Sequence, residues 1–302
     1  MPLQLWKTPH IAKGILTYVP LLRAWRSRFA LSGGTDSADY CYRVWIRHLS
    51  RLTDHGFKLQ GAHIGELGPG DSIATGLAAL LCGGGRYTGL DAIPYFATVD
   101  LEAMLNDIAE MLESRTPMAR LDRYPVEAID WSRLPENRED LRAGIRAGVN
   151  NCERLRYQAP WTSPDVIERE ALDLVFSEGV LQCIDDIDAT YQAMSYWLKP
   201  GGFASHAIGC SAGGLSPYWN GHWAFSDLEW RLVRGGRKFL LNRMPASAHI
   251  RCAESAGFEV LTCDRVYYPD GLDTASLAPR FREMDQEDLR TSRIILLLRK
   301  LR

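Results

Sequence analysis

The stretch His63-Ile64-Gly65-Glu66-Leu67-Gly68-Pro69-Gly70-Asp71-Ser72 decides how this chain is read. A short apolar run stops at Gly68-Pro69-Gly70, and Ser72 to Cys82 (SIATGLAALLC) then turns apolar at helical period, with Asp71 placed to cap it. This predicts a strand, a glycine turn and a helix. Gly83-Gly84-Gly85 stops the helix, and Tyr87 to Leu90 predicts a second short strand closing on Asp91. Two strands joined through a helix make a βαβ unit, so a parallel sheet is expected.

The alternation continues downstream. Arg156 to Ala159 predicts a short strand, and the almost wholly apolar Ala171 to Phe176 (ALDLVF) suits the buried centre of a sheet. Lys199-Pro200-Gly201-Gly202 reads as a tight turn into a strand over Phe203 to Ile208. Phe258 to Tyr267 and Arg293 to Arg299 complete about seven strands. Helices are expected over Thr35 to Leu52, Asp185 to Leu198, Ser226 to Val233 and Ser247 to Ala256. The predicted class is α/β, a doubly wound, mostly parallel seven-stranded sheet. Residues 1–55 are expected to form an N-terminal helical lid, and 56–302 the main domain, with a charged helical insertion over 100–164 and a substrate loop over 209–245. In the first long helix Tyr42, Trp45, Ile46 and Leu49 recur at packing positions, while Arg43 and Arg47, one turn apart, present two cations on one face.

Composition narrows the function classes. The chain has 302 residues, 46% hydrophobic and 24% charged, an ordinary globular balance that excludes disorder and collagen. Lys+Arg is 35 against Asp+Glu 37, so no global field gathers nucleic acid, and none is expected as a partner. Seven cysteines, odd in number and without a C-x-x-C pair, fit a reduced compartment. Residues 1–29 hold no signal-peptide stretch, and the strongest apolar window, Ile294 to Leu298, is only strand-sized. A cytoplasmic protein without a membrane span is expected.

A glycine turn before a helix can hold a nucleotide-like ligand, because its backbone allows close approach and the helix start offers free N–H groups. The nicotinamide fingerprint would need a third glycine where Ile73 stands, and a P-loop would need a Gly-Lys pair, which the chain lacks. What remains is Glu66 before the glycines and Asp91 at the end of the next strand, where a carboxylate can accept both hydroxyls of a ribose diol.

From Gly61 to Arg302 the chain resembles the class I S-adenosylmethionine-dependent methyltransferases, through IGELGPGDS, YTGLD, LDLVFSEGVLQCIDDI and YWLKPGG in that order. The resemblance implies a Rossmann-like sheet with one antiparallel strand and S-adenosylmethionine as cofactor. It implies that Glu66, Gly68, Gly70 and Asp71 line the cofactor, Asp91 holds its ribose, and Ser177 and Glu178 flank its methionine moiety. Trp161 is the candidate for the adenine. Many members carry Glu-His where this chain has Gln182 and Cys183, so a role resting on that histidine does not carry over.

Methyl transfer to a hydroxyl needs a positioned acceptor and a base. His206, on the strand that reaches the cofactor edge, is the candidate base, and His222 stands in Trp219-Asn220-Gly221-His222-Trp223, an aromatic and polar cluster suited to a ring or sugar. Leu241-Asn242-Arg243 with its following residues resembles a block of a bacterial methyltransferase subgroup associated with sugar and glycan modification, which implies Asn242 and Arg243 as acceptor contacts. The expected function is O-methylation of a sugar, glycan or other small-molecule hydroxyl. His206, His222 and Asp227 have no fixed ligand spacing, so no metal is expected. Two alternatives stand beside this reading: a serine hydrolase using Ser211 in Gly209-Cys210-Ser211-Ala212-Gly213, and a cofactor-binding scaffold without catalysis.

Overall fold

The computed structural model describes residues 4–19, 34–94, 99–118, 123–161 and 163–301. Seven strands, β1 (His63–Leu67), β2 (Arg86–Leu90), β3 (Leu155–Gln158), β4 (Leu172–Glu178), β5 (Leu198–Gly209), β6 (Phe258–Tyr267) and β7 (Thr291–Lys300), form one sheet in the order β3-β2-β1-β4-β5-β7-β6. All pairs from β3 to β5 are parallel, and β7 runs against both of its neighbours. The fold is the expected doubly wound, Rossmann-like sheet with a single antiparallel strand. Strand order reverses between β1 and β4, and in such sheets the crevice beyond the carboxyl ends at that point is where ligands sit.

The described helices are α1 (Thr8–Ile15), α2 (Ala38–Asp54), α3 (Ala74–Leu81), α4 (Leu101–Glu113), α5 (Leu134–Ala147), α6 (Ile187–Trp197), α7 (Asp227–Arg234), α8 (Ala246–Ser255) and α9 (Gln286–Arg290). No described helix is long and apolar enough to cross a membrane.

Two expectations about organisation are corrected. The helix expected as part of a lid, α2, is a layer of the core: Tyr42, Trp45, Ile46, Leu49 and Leu52 are fully buried beside α3, α4 and Phe176 of β4. Fully burying one such apolar side chain stabilises by roughly 1.5–3 kcal/mol, so several of them hold α2 firmly to the core. The expected insertion over 100–164 holds the crossover from β2 to β3. Leu101, Met104, Leu105, Ile108, Ala109 and Leu112 of α4 recur at helical spacing and pack into the same cluster. A second cluster lies on the opposite face, where Tyr191, Met194 and Trp197 of α6 meet Ala253 of α8. The Lys199-Gly202 turn is absorbed into β5: β4 pairs Leu172 with Leu198 and Leu174 with Phe203, so the extra residues bulge out of the ladder.

At the N-terminus α1 rests on α7. Gly14 lies so close that a side chain there would overlap the Leu232 carbonyl, and Lys7 donates to the Ala224 carbonyl at 2.6 Å.

Candidate functional site

The carboxyl edge of β1 and β2 brings the glycine bend and Asp91 together. Gly68 (φ +66°) and Gly70 (φ +76°) take the left-handed conformation that glycine adopts without strain. The Gly68 N–H donates to the Leu90 carbonyl at 2.8 Å, tying the bend to the end of β2. The Asp91 carboxylate accepts the Gly70 N–H at 3.3 Å and the Ile93 N–H at 3.4 Å, so it faces the bend rather than solvent or the packed interior. Burial raises its pKa, against the opposing pull of the Ile93, Gly70 and Ala92 N–H groups. Across the switch point Val180, just past β4, packs on Gly68, where a Cβ would stand only 2.5 Å from its methyl carbon.

Glu66 is placed differently from expectation. It lies beneath the bend, 3% exposed, and its Oε2 accepts the Tyr87 hydroxyl at 2.5 Å. Burial pushes its pKa up to about 8, so at neutral pH it carries a proton, and its bond to Tyr87 ties β1 to β2. Asp71 does not cap the following helix. That helix begins at Ala74, later than expected, with Ile73 at the capping position and no side-chain cap. Instead Ser72 Oγ accepts the Ala74 N–H at 3.2 Å, and Thr35 Oγ1 accepts the Ser72 N–H at 3.1 Å.

The two faces of β4 separate the next pair. Ser177 and His206 pair in register across β4 and β5, with Ser177 Oγ 2.8 Å from His206 Nδ1, and both are fully buried. His206 is three residues short of the end of β5, because Ala207 and Ile208 continue the ladder with Ile295 and Ile294 of β7. Its ring lies among Tyr191 and His249, and burial pushes its pKa down to about 3. His206 is therefore not the edge base expected, nor does Ser177 reach the crevice.

Glu178, on the opposite face of β4, remains at the edge. Its Oε1 accepts from Arg293 Nη2 at 2.5 Å and from Arg47 Nη2 at 3.4 Å, and its Oε2 lies 3.5 Å from His48 Nε2. Burial favours protonation of Glu178, but bonding from His48 and the charges of Arg293 and Arg47 outweigh it and hold the carboxyl below its usual range. His48, whose Nδ1 lies 2.7 Å from Ser205 Oγ, is held neutral mainly by burial. Sequence reasoning gave His48 no role; the available signal was a polar Arg47-His48 pair inside a helix face otherwise built for packing. Arg43 and Arg47 do not act together, since Arg43 pairs with Asp39 at 2.8 Å.

Trp161 is joined to Asp91 through the backbone, its N–H donating to the Asp91 carbonyl at 3.0 Å, while its ring meets Trp197 edge-on at 5.3 Å. Gln182 Oε1 accepts the Gly209 N–H at 3.4 Å and so ties β4's exit to the end of β5.

The expected acceptor contacts are structural ties. Asn242 donates to the carbonyls of Leu181 and Ile184 at 2.8 and 2.9 Å and accepts the Met244 N–H. Arg243, 5% exposed, donates to the Phe225 carbonyl and to Asp227, both at 2.7 Å, and its guanidinium lies over Trp230 and Phe281. Asn220 bonds both backbone groups of Leu272, and His222 is buried against Trp223 at 4.6 Å with its pKa pushed down to about 3. Of this group Trp219 and Asn220 border open space, a cavity of ≈ 280 Å³ shared with Tyr268, Asp273 and Arg290. His206 and His222 are enclosed in different clusters and Asp227 is ion-paired with Arg243 and Arg280, so these three do not converge as ligands. Ser211 lacks the helix a nucleophile elbow needs: β5 ends at Gly209 and the chain runs irregularly to the 3-10 turn at Gly221–Ala224.

No protein-family model matches the chain, and no curated protein matches it. Solved structures similar to it include the 4+2 cyclase SpnF (14% identity, 83% of this chain and 80% of that one, TM-score 0.44). An S-adenosylmethionine dependent methyltransferase from Mesorhizobium loti (12%, 83% and 96%, TM-score 0.41) is also similar. So is the geranyl diphosphate C-methyltransferase of Streptomyces coelicolor (12%, 84% and 79%, TM-score 0.45). These are distant likenesses, and the fold rests on the strand order itself.

Proposed function

We propose that the chain is an S-adenosylmethionine-dependent methyltransferase acting on a small molecule. One observation carries the reading: the Asp91 carboxylate faces a glycine bend at the topological switch point and, among the described residues, is engaged there by the backbone N–H groups of Gly70 and Ile93 at 3.3 and 3.4 Å, long contacts that a ribose diol can replace. The bend lets a nucleoside approach the backbone closely, since Gly68 and Gly70 are both left-handed and carry no side chain. When bound, the cofactor supplies an electrophilic methyl group. Asp91 accepts the diol, the bend sets the approach, protonated Glu66 ties β1 to β2 through Tyr87, and Trp161 lies close to the adenosine through its bond to Asp91.

The finer reading is O-methylation of a hydroxyl, including that of a sugar. The base role expected of His206 and His222 passes to the Glu178 carboxylate, which lies on the same sheet edge as the bend, with buried His48 behind it at 3.5 Å. His48 is uncharged and has Nε2 turned to Glu178, so it can take up a proton that the carboxylate accepts from the substrate. The aromatic cavity at Trp219 and Tyr268 supports a ring-bearing acceptor or an extension of it.

Calorimetry with S-adenosylmethionine and S-adenosylhomocysteine tests the assignment. Both should bind, and Asp91→Ala should lose most of the affinity for each. If neither binds, or if the variant binds both normally, the reading collapses. Binding with no transfer to any acceptor would instead favour the scaffold.

A further inference from the structure

Arg47 and Arg293 come from elements far apart in sequence, α2 and the first turn of β7, yet both reach the same oxygen of Glu178. They meet there because β7 is antiparallel: its N-terminal end lies beside the carboxyl ends of β4 and β5, with Gly209 paired to Arg293 and Ala207 to Glu178. Two guanidinium groups share one carboxylate, and His48 is uncharged, so the cluster carries one unit of positive charge more than it neutralises. The neighbouring arginines do not add to this excess, because Arg51 pairs with Asp264 and Arg265 with Asp288. The charge is also accessible: the Arg47 and Arg293 side chains are 31% and 41% exposed, against 13% for Glu178.

The donor count points the same way. A guanidinium has five N–H groups. Among the described residues, each of these two arginines spends one on Glu178 and makes no other side-chain hydrogen bond. A carboxylate that holds two partly exposed guanidinium groups by one N–H each is a preorganised receptor for a second anion.

We propose that the methyl acceptor carries an anionic oxygen group, a carboxylate or a phosphate, and that Arg47 and Arg293 grip it at the carboxyl edge of the sheet with Glu178 as their spacer. This rests on the methyltransferase reading and names its substrate class. Neutral hydroxyl compounds of the same shape are poorer acceptors, because they leave the excess charge unmatched.

The test is calorimetric titration of inorganic phosphate, and separately acetate, into protein saturated with S-adenosylhomocysteine at low ionic strength. Both anions should bind the wild type. Arg47→Gln and Arg293→Gln should each weaken phosphate about tenfold or more, with S-adenosylhomocysteine affinity retained as the measure of an intact fold. Glu178→Gln, which removes the competing negative charge, should move binding in the opposite direction and tighten phosphate. Absence of anion binding to the cofactor-saturated wild type, or unchanged binding in both arginine variants, overturns the proposal. So does mutual exclusion of phosphate and S-adenosylhomocysteine, which would assign the arginines to the carboxylate of the cofactor itself. If S-adenosylhomocysteine does not bind the wild type at all, the methyltransferase reading fails by itself, and phosphate binding to the free protein still reports whether the arginine pair is a receptor.

Discussion

The hydroxyl of Ser177 lies 2.8 Å from Nδ1 of His206, and neither side chain is reached by solvent. The remaining ring nitrogen, Nε2, has no partner among the described residues, nor has either nitrogen of His249 close by. Such groups are neutral in the folded state for lack of solvation. The pKa of His206 is depressed from 6.5 to about 3, so the unfolded chain binds the extra proton first. Folding stability due to His206 is therefore complete above pH 6.5 and is lost as pH falls toward 3, with a slope of up to about 1.4 kcal/mol per pH unit. His206→Gln cannot charge and should show a flatter loss of stability between pH 6.5 and 4. Urea unfolding of both proteins across that range checks it, and parallel curves would mean that the histidine is hydrated in the folded state.

Glu66 works in the opposite sense. Its pKa is raised from 4.5 to about 8, so the folded protein holds the proton that the unfolded chain releases. Its contribution is fully present below pH 4.5, declines as pH rises, and is gone above pH 8. Glu66→Gln keeps the shape and the neutral state, and should melt at or above the wild-type temperature at pH 8 to 9 while differing little near pH 5. A variant that melts lower than wild type at pH 9 would show that Glu66 is ionised in the fold.

The parts of this molecule governed by local pattern were legible before any coordinates. A glycine bend between an apolar strand and an apolar helix can be built in few ways, so β1, the bend and β2 with Asp91 stand close to where Glu66-Leu67-Gly68-Pro69-Gly70 and Tyr87-Thr88-Gly89-Leu90 place them. The acceptor side was not legible, since it depends on which residues meet from distant segments. Arg47, Glu178 and Arg293 are brought together by an antiparallel strand and a packed helix, which no local periodicity encodes. Asn242 and Arg243 look like substrate contacts in a string of letters because both carry free polar groups there. In space those groups are spent on Leu181, Ile184, Phe225 and Asp227. His206 misled for a different reason: its strand runs on through Ala207, Ile208 and Gly209, which leaves the ring in the core and not at the edge.

Gly68→Ala tests the bend directly. The new methyl group would stand 2.5 Å from the Val180 side chain, and a non-glycine residue at φ +66° is itself strained. Together these should destabilise by roughly 1–3 kcal/mol and displace Val180 from the crevice. Denaturant unfolding measures the first effect and S-adenosylhomocysteine titration the second. Val180→Ala combined with Gly68→Ala should recover part of the stability, because the overlap is relieved while the backbone strain remains.

Arg243 separates a structural role from a substrate-binding one most sharply. Its backbone is left-handed at φ +64°, an uncommon state for a residue with a side chain, and is held there by what the guanidinium does. One arm donates to the Phe225 carbonyl and the other to Asp227, while the Trp223 indole N–H donates to the Arg243 carbonyl at 3.0 Å. Truncation would open a gap between Trp230 and Phe281 and strand the Phe225 carbonyl. Arg243→Ala should therefore cost about 2–4 kcal/mol of stability. Arg243→Lys should recover only a fraction, since an ammonium group cannot bond both partners in one plane. At a temperature where the variant stays folded, its affinity for S-adenosylhomocysteine and for phosphate should match the wild type. Unchanged denaturant stability together with a specific loss of phosphate binding would return Arg243 to the acceptor site and remove it from the core.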